Sequence, residues 1–220
     1  MEILGTEILS NLLYLIAQSL FIPVIIVVLV FMTYAVLSLG GFLTEKFSRT
    51  KFDVNQTEAL VRAISKSNSP EEMKEKVTES ELQDKYKEIL IKIISNHDIG
   101  PQSRRAIATK LIEEQELQFS TITQKTDILV RLAPTIGLLG TLIPLGPGLS
   151  ALGSGDINSL AQALTVAFDT TITGLAAGAI GYIISGYRKK WYNDELSILE
   201  AIIESTLEAL DNVQKKTIFG

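Results

Sequence analysis

Residues 132–153 read LAPTIGLLGTLIPLGPGLSALG, and residues 159–187 read SLAQALTVAFDTTITGLAAGAIGYIISGY. Each is apolar over the ~20 residues that a membrane-spanning helix needs. Each is also punctuated by glycine, threonine, serine or proline, and the second carries a carboxylate, Asp169, in its middle. Small residues let membrane helices approach closely, and polar groups in a span must be kept out of lipid. The two stretches therefore read as membrane helices that pack tightly.

The rest of the chain agrees. Ile8–Thr44 carries no charge, Leu132–Tyr187 carries no base, and a strongly charged segment lies between. The fold class is an all-α membrane protein: three transmembrane helices, with long helices extending into a cytoplasmic helical domain. The 220 residues suggest one domain or two small ones. The net charge of −5 does not suit nucleic acid, which calls for a basic face. Without cysteine there is no disulfide, thiolate nucleophile or zinc–thiolate site. The start, Met-Glu-Ile-Leu, lacks the basic n-region of a cleavable signal, so the first apolar block is expected to remain as an anchor.

In chain order, residues 1–20 are expected to form an interfacial helix with Asn11, Gln18 and Ser19 as its polar positions, divided at Pro23 from a first span over 21–43. Lys46, Arg49 and Lys51 follow. Residues 44–127 form the cytoplasmic helical domain. It begins with a helix over 52–66, capped by Asn55 or Thr57. The next helix starts with a Ser69 cap, Pro70 at the first position and acids in the first turn, and runs to about Ser95. After a turn at 96–101, a third helix from Gln102 meets no breaker before Ala133 and is read as running into the second span. That span, 128–149, is expected to be irregular because of Pro134, Pro144 and Pro147 and its glycines. A short external loop at 150–158 leads to the third span, 159–187. The cytoplasmic C-terminal segment, 188–220, holds a final helix over about 193–215. All 20 Lys and Arg lie in 46–131 or 188–216, so the positive-inside rule places the N-terminus outside and the C-terminus in the cytoplasm.

Asp169 lies ten residues into the third span, ~15 Å along the helix axis. It is either a proton or cation relay or a structural acid bonded to a neighbouring helix. At 3.6 residues per turn Gln162, Thr165, Asp169 and Thr173 fall within about 80° of one another. Thr171, Gly174, Gly178, Gly181 and Ser185 fall on roughly the opposite side. That second stripe is either a tight packing face or, through Thr171 repeated around an oligomer, the wall of a narrow polar passage. Thr135 and Thr141, beside Gly137 and Gly140 in the second span, pose the same choice, since a lone threonine in a span usually bonds back to its own helix. His97 is the only histidine and reads as a surface residue, with no second imidazole or cysteine to complete a metal site. No phosphate-binding loop, nucleophile elbow or HExxH is present. No enzyme, metal or cofactor is expected.

The run Ala133-Pro134-Thr135-Ile136-Gly137-Leu138-Leu139-Gly140-Thr141, followed in the next span by Thr171-Ile172-Thr173-Gly174-Leu175, resembles the MotA/TolQ/ExbB proton-channel family in its three-span TolQ/ExbB branch. The resemblance implies a cell (inner) membrane ion-channel stator, a homopentameric ring around single-span helices of an ExbD/TolR/MotB-like partner. In such a motor, proton or sodium flow drives mechanical work or energised transport. It also implies that Thr141 and Thr171 are pore threonines. ExbB and TolQ carry a glutamate eight residues before the glycine of Thr-x-x-Gly-Leu. That position is Val166 here, and Asp169 follows three residues later, turned by about 60°. The ion-pathway candidates are thus Thr141, Thr171, Asp169, Thr135 and Thr173, with Gly137, Gly140, Gly174, Gly178 and Gly181 for packing. The alternative is a non-conducting membrane scaffold whose cytoplasmic domain docks a partner.

Overall fold

The computed structural model describes residues 2–49 and 54–219, and six helices make up nearly all of them. They are α1 (Glu2–Ser48), α2 (Val54–Lys66), α3 (Pro70–Glu79), α4 (Asp84–Ser95), α5 (Pro101–Gly153) and α6 (Ile157–Phe219). Lys51 and Phe52, assigned above to the first inner edge and to the start of a helix, lie outside the described residues. The chain divides into two compact units. One gathers the chain up to Ser48 with Thr123–Tyr187, and the other gathers Arg49–Ile122 with the chain from Arg188 onward.

The first unit contains stretches of α1, α5 and α6, the three helices long and apolar enough to cross a membrane. Its core is small: Ala35, Leu129, Ala133 and Ala177, with Phe31, Met32 and Ile180 against them. Most of its large apolar side chains point outward, as in Ile22, Leu37, Leu138, Phe168 and Ile172. That inverts the usual soluble arrangement and suits a lipid solvent, where the apolar surface needs no cover.

Three expectations about continuity are corrected. α1 does not divide at Pro23, which sits inside one helix from Glu2 to Ser48. The second span is not irregular, because Pro134, Pro144 and Pro147 are all accommodated within α5. A proline removes one backbone hydrogen bond, and in a span neighbouring helices and hydroxyl side chains absorb that loss. The final helix is not separate either, since α6 continues past Tyr187 to Phe219. The loop expected at 150–158 shrinks to the three residues between α5 and α6. Gly155 there has φ +81°, a left-handed conformation that glycine adopts without a Cβ clash. Asp156 caps α6, accepting from Ser159 N (3.1 Å) and Ser159 Oγ (2.5 Å). The Ser159 hydroxyl first, then backbone amides, hold its carboxyl below the usual aspartate range.

The second unit has a conventional apolar core. Leu60 and Ile64 of α2, Met73 and Val77 of α3, Tyr86, Ile89, Leu90, Ile93 and Ile94 of α4, Ala108 and Leu111 of α5, and Leu199, Ile202, Ile203, Leu207 and Leu210 of α6 pack together. The Ser69 cap forms, accepting from Glu72 N at 3.2 Å. The helix does not run on to Ser95, however. Ser80 folds its hydroxyl and its amide onto Val77 O (2.6 and 3.3 Å) and ends α3, a local bond of the kind that competes with helix continuation. The break lets Met73 and Val77 enter the same core as α4.

Two buried charged clusters fix this unit. Arg104, 1% exposed, donates to Asp211 (3.2 Å), Gln214 (2.8 Å) and the carbonyls of His97 and Ile99. Glu195, 6% exposed, accepts from Arg49 and from the Tyr86 hydroxyl, with Lys85 Nζ at 3.5 Å. The Arg49 guanidinium also lies 4.8 Å from the Trp191 ring centre, and Phe119 stacks on Tyr192 at 4.4 Å. Burial first, then the bond to Glu195 and its charge, keep the Tyr86 phenol protonated well above the ordinary tyrosine range.

Candidate ion pathway

The membrane unit is closed by a seam between α5 and α6 in which Gly137 and Gly174 face backbone and Gly140, Gly178 and Gly181 face side chains. A Cβ on Gly174 would fall 2.6 Å from Ala133 O and 2.8 Å from Gly137 Cα. One on Gly137 would fall 3.1 Å from both Gly174 Cα and Thr170 O. Gly140 faces the Thr170 side chain at 2.8 Å, Gly178 the Pro134 ring at 2.7 Å, and Gly181 the Leu129 side chain at 3.1 Å. The small-residue stripe of α6 thus mates with Leu129, Ala133, Pro134 and Gly137 of α5. Side chains larger than hydrogen at these positions would hold the helices apart.

Close approach brings hydroxyl groups together. Thr141 and Thr171 are hydrogen-bonded to each other across the seam. The Gly137 carbonyl is within reach of both, at 3.2 Å from Thr141 Oγ1 and 3.3 Å from Thr171 Oγ1, and Ala167 O lies 3.4 Å from Thr141 Oγ1. Each hydroxyl has one proton to donate and can also accept. The pair therefore has two directions: Thr141 to Thr171 to Gly137 O, or Thr171 to Thr141 to a carbonyl. Such a pair can pass a hydrogen-bond direction along without moving a heavy atom. Both threonines are half-buried, so they are ordered by the seam yet reachable from outside it.

The other sequence candidates are not gathered here. Thr135 is exposed and bonds back to Arg131 O at 2.9 Å. Thr173 is half-buried and bonds back to Asp169 O at 2.7 Å. Asp169 is exposed, so it is not shielded between helices of its own chain. A carboxylate left facing hydrocarbon costs at least ~2.5–3.5 kcal/mol on insertion scales.

Two polar features escaped the sequence reading. Thr170 is buried beneath Gly140 and bonds back to the carbonyls of Val166 and Ala167, both at 3.0 Å. At the other end of the seam Ser185, 5% exposed, donates to Asp127 at 2.5 Å, with Thr123 and Thr126 also buried nearby in sequence. Asp127 stands one residue before the expected span, which is why its role in the bundle was not visible. Ser185 lay on the small-residue stripe, which was the available signal.

Comparison with protein families matches residues 69–201 to the MotA/TolQ/ExbB proton channel family. The chain belongs to this family. The match takes in α3, α4, α5 and most of α6, and so holds the whole α5–α6 seam with both of its hydroxyls. MotA/TolQ/ExbB membership, with three helices able to cross a membrane, makes this a membrane protein of proton-channel type. No curated protein matches the chain.

Proposed function

We propose that this MotA/TolQ/ExbB protein is the ring subunit of an ion-driven membrane motor. Copies of the chain, five by family resemblance, surround a single-span partner of the ExbD/TolR/MotB kind. Protons, or sodium ions, pass at the boundary between ring and partner, and their flow is converted into mechanical work or energised transport. The ring sits in the cell's inner membrane with the N-terminus outside and the C-terminus in the cytoplasm, as the one-sided distribution of Lys and Arg supports.

The observation that carries this reading is the Thr141–Thr171 pair, held across a glycine-closed seam within a proton-channel family. Three spans are too few to enclose an ion route alone, so the route needs further copies or a partner. The Thr141 and Thr171 hydroxyls supply a wall that hydrogen-bonds the water around a passing cation or a hydronium ion. Thr135 and Thr173 contribute less, because each hydroxyl is already given to its own helix.

The test is ion flux in vesicles holding the chain together with a single-span membrane protein that co-purifies with it, read with a pH-sensitive dye and, separately, a sodium dye. Thr141→Val and Thr171→Val are expected to abolish flux while the complex still assembles, and Thr135→Val to leave it near wild type. Full flux through the assembled Thr141→Val/Thr171→Val double variant would remove the pore role. A wild-type complex with no flux under any gradient would favour the scaffold reading.

A further inference from the structure

The α5–α6 seam is built in two rows. Its contacts fall at 141, 137, 134, 130 and 127 of α5 and at 171, 174, 178, 181 and 185 of α6. Steps of four and three residues are the heptad spacing of packed helices, in which every second contact returns to the same row. One row sets Gly137 against Gly174 and Val130 against Gly181, and its glycines are buried. The other holds the Thr141–Thr171 bond, Pro134 against Gly178, and the Asp127–Ser185 bond. Thr141, Thr171, Pro134 and Asp127 are all half-buried, so this second row is the more open one. Its hydroxyl pair and its carboxylate stand 14 residues apart on each helix, ~21 Å along the seam. Between them, Pro134 has no N–H to give to the Val130 carbonyl four residues before it. That carbonyl lies 3.6 Å from where a Cβ on Gly178 would stand. The open row thus carries oxygen along its length and ends in a carboxylate.

We propose that Asp127 is the inner acceptor of the ion path, the carboxylate that receives a proton or a sodium ion after the Thr141–Thr171 pair, and that Ser185 positions it. The inference rests on the proposed placement of that pair on the path. Ser185 stands three residues before the Arg188-Lys189-Lys190 run. Its bond to Asp127 therefore marks the end of the apolar stretch on the side where the basic residues gather. Lys125 and Arg131 on α5 and Arg188 on α6 are the charged residues nearest to the pair in sequence. A carboxylate presents about four lone-pair sites, so accepting one bond from Ser185 does not exhaust it. A proton taken up there makes the neutral acid, and its release to water on the inner side restores the carboxylate. A sodium ion is held by the same oxygens and released without a change of protonation. The ~21 Å between the two pairs is too far for direct transfer, so water carries the ion along the open row. Thr141 and Thr171 then act on the ion as it enters the seam, and Asp127 acts on it as it leaves.

Two variants separate an ion acceptor from a clamp between helices. Asp127→Asn keeps an acceptor oxygen for Ser185 and removes the charge, whereas Ser185→Ala keeps the charge and removes the bond. Both are measured as the full complex in vesicles, with the pH-sensitive dye and the sodium dye. Asp127→Asn is expected to lose flux roughly tenfold or more in whichever dye reports the wild type. Ser185→Ala is expected to lose less, and Asp127→Glu to recover part of the flux. Wild-type flux through Asp127→Asn overturns the inference. A loss in Ser185→Ala as large as that in Asp127→Asn makes the pair a clamp and overturns it equally. If the Asp127→Asn complex does not assemble, Asp127→Cys gives a second reading, because the chain has no cysteine of its own. A cationic, water-soluble methanethiosulfonate applied from the basic side is expected to label that thiol and stop the flux. A thiol closed to the reagent, or flux that survives the label, overturns the inference. Failure of the proposed function looks different: the wild-type complex then gives no signal in either dye.

Discussion

Adding one methyl group to the α5–α6 seam tests the logic of the membrane unit most directly. In Gly174→Ala the new Cβ falls 2.6 Å from Ala133 O and 2.8 Å from the Gly137 Cα, both backbone atoms in the middle of α5. Neither can rotate away, so the helices must part by roughly 0.7 Å to restore ordinary van der Waals contact. Overpacking of this kind costs ~1–3 kcal/mol, and a clash with backbone belongs in the upper half of that range. Gly181→Ala meets side-chain atoms alone, Leu129 Cδ2 at 3.1 Å with Leu129 Cγ and Val130 Cγ2 at 3.3 Å, which can shift, and is expected to cost ~1 kcal/mol at most. Gly186→Ala, with nothing within 4 Å, is expected to be neutral or slightly stabilising, because alanine is the better helix former. Unfolding of the purified chain in mixed micelles, followed by helix content and by the single tryptophan, Trp191, gives the order. Parting the helices also pulls Thr141 from Thr171, so Gly174→Ala should lose ion flux at temperatures where it remains folded. Equal midpoints for Gly174→Ala and Gly186→Ala would refute the claim that backbone contact closes this seam.

Other outcomes follow from the charged groups. Glu195→Ala strands Arg49 and the Tyr86 hydroxyl in a buried site and should cost ~3 kcal/mol in chemical denaturation, because removing one partner of a buried pair leaves the other uncompensated. Tyr86 gives the same cluster an alkaline limit. The unfolded chain loses the phenol proton near pH ~10 while the folded chain keeps it, so stability falls as pH rises beyond that value, and Tyr86→Phe should flatten the fall. Asp156 behaves in the opposite sense. Its carboxyl titrates lower in the folded chain, so its contribution is present above the ordinary aspartate value of ~3.9 and is lost as pH falls through the depressed folded value. Asp156→Ala should remove that acid dependence, read as helix content against pH, together with the cap on α6.

Three apolar stretches long enough to span, the confinement of Lys and Arg to 46–131 and 188–216, and the small-residue stripes with their threonines were legible in the sequence alone. These are properties of composition and helical period, and lipid enforces both: a charge-free run of sufficient length has few alternatives to a membrane helix. What it misjudged was continuity. Pro23 and the prolines of α5 signal breaks in water, but the bilayer makes a broken helix costlier than a kinked one, so α1 and α5 run through them. Ser80 had the opposite effect, ending a helix that periodicity alone would have carried on. Pairing across helices was decided only in three dimensions. Gly174 meets Ala133 O, Thr171 meets Thr141, Ser185 meets Asp127 and Glu195 meets Tyr86 across separations of 30 or more residues. Asp169 shows the division most clearly. Its place in the middle of an apolar stretch is written in the sequence, whereas its exposure on the side of α6 away from the closed seam depends on where α1 and α5 pack.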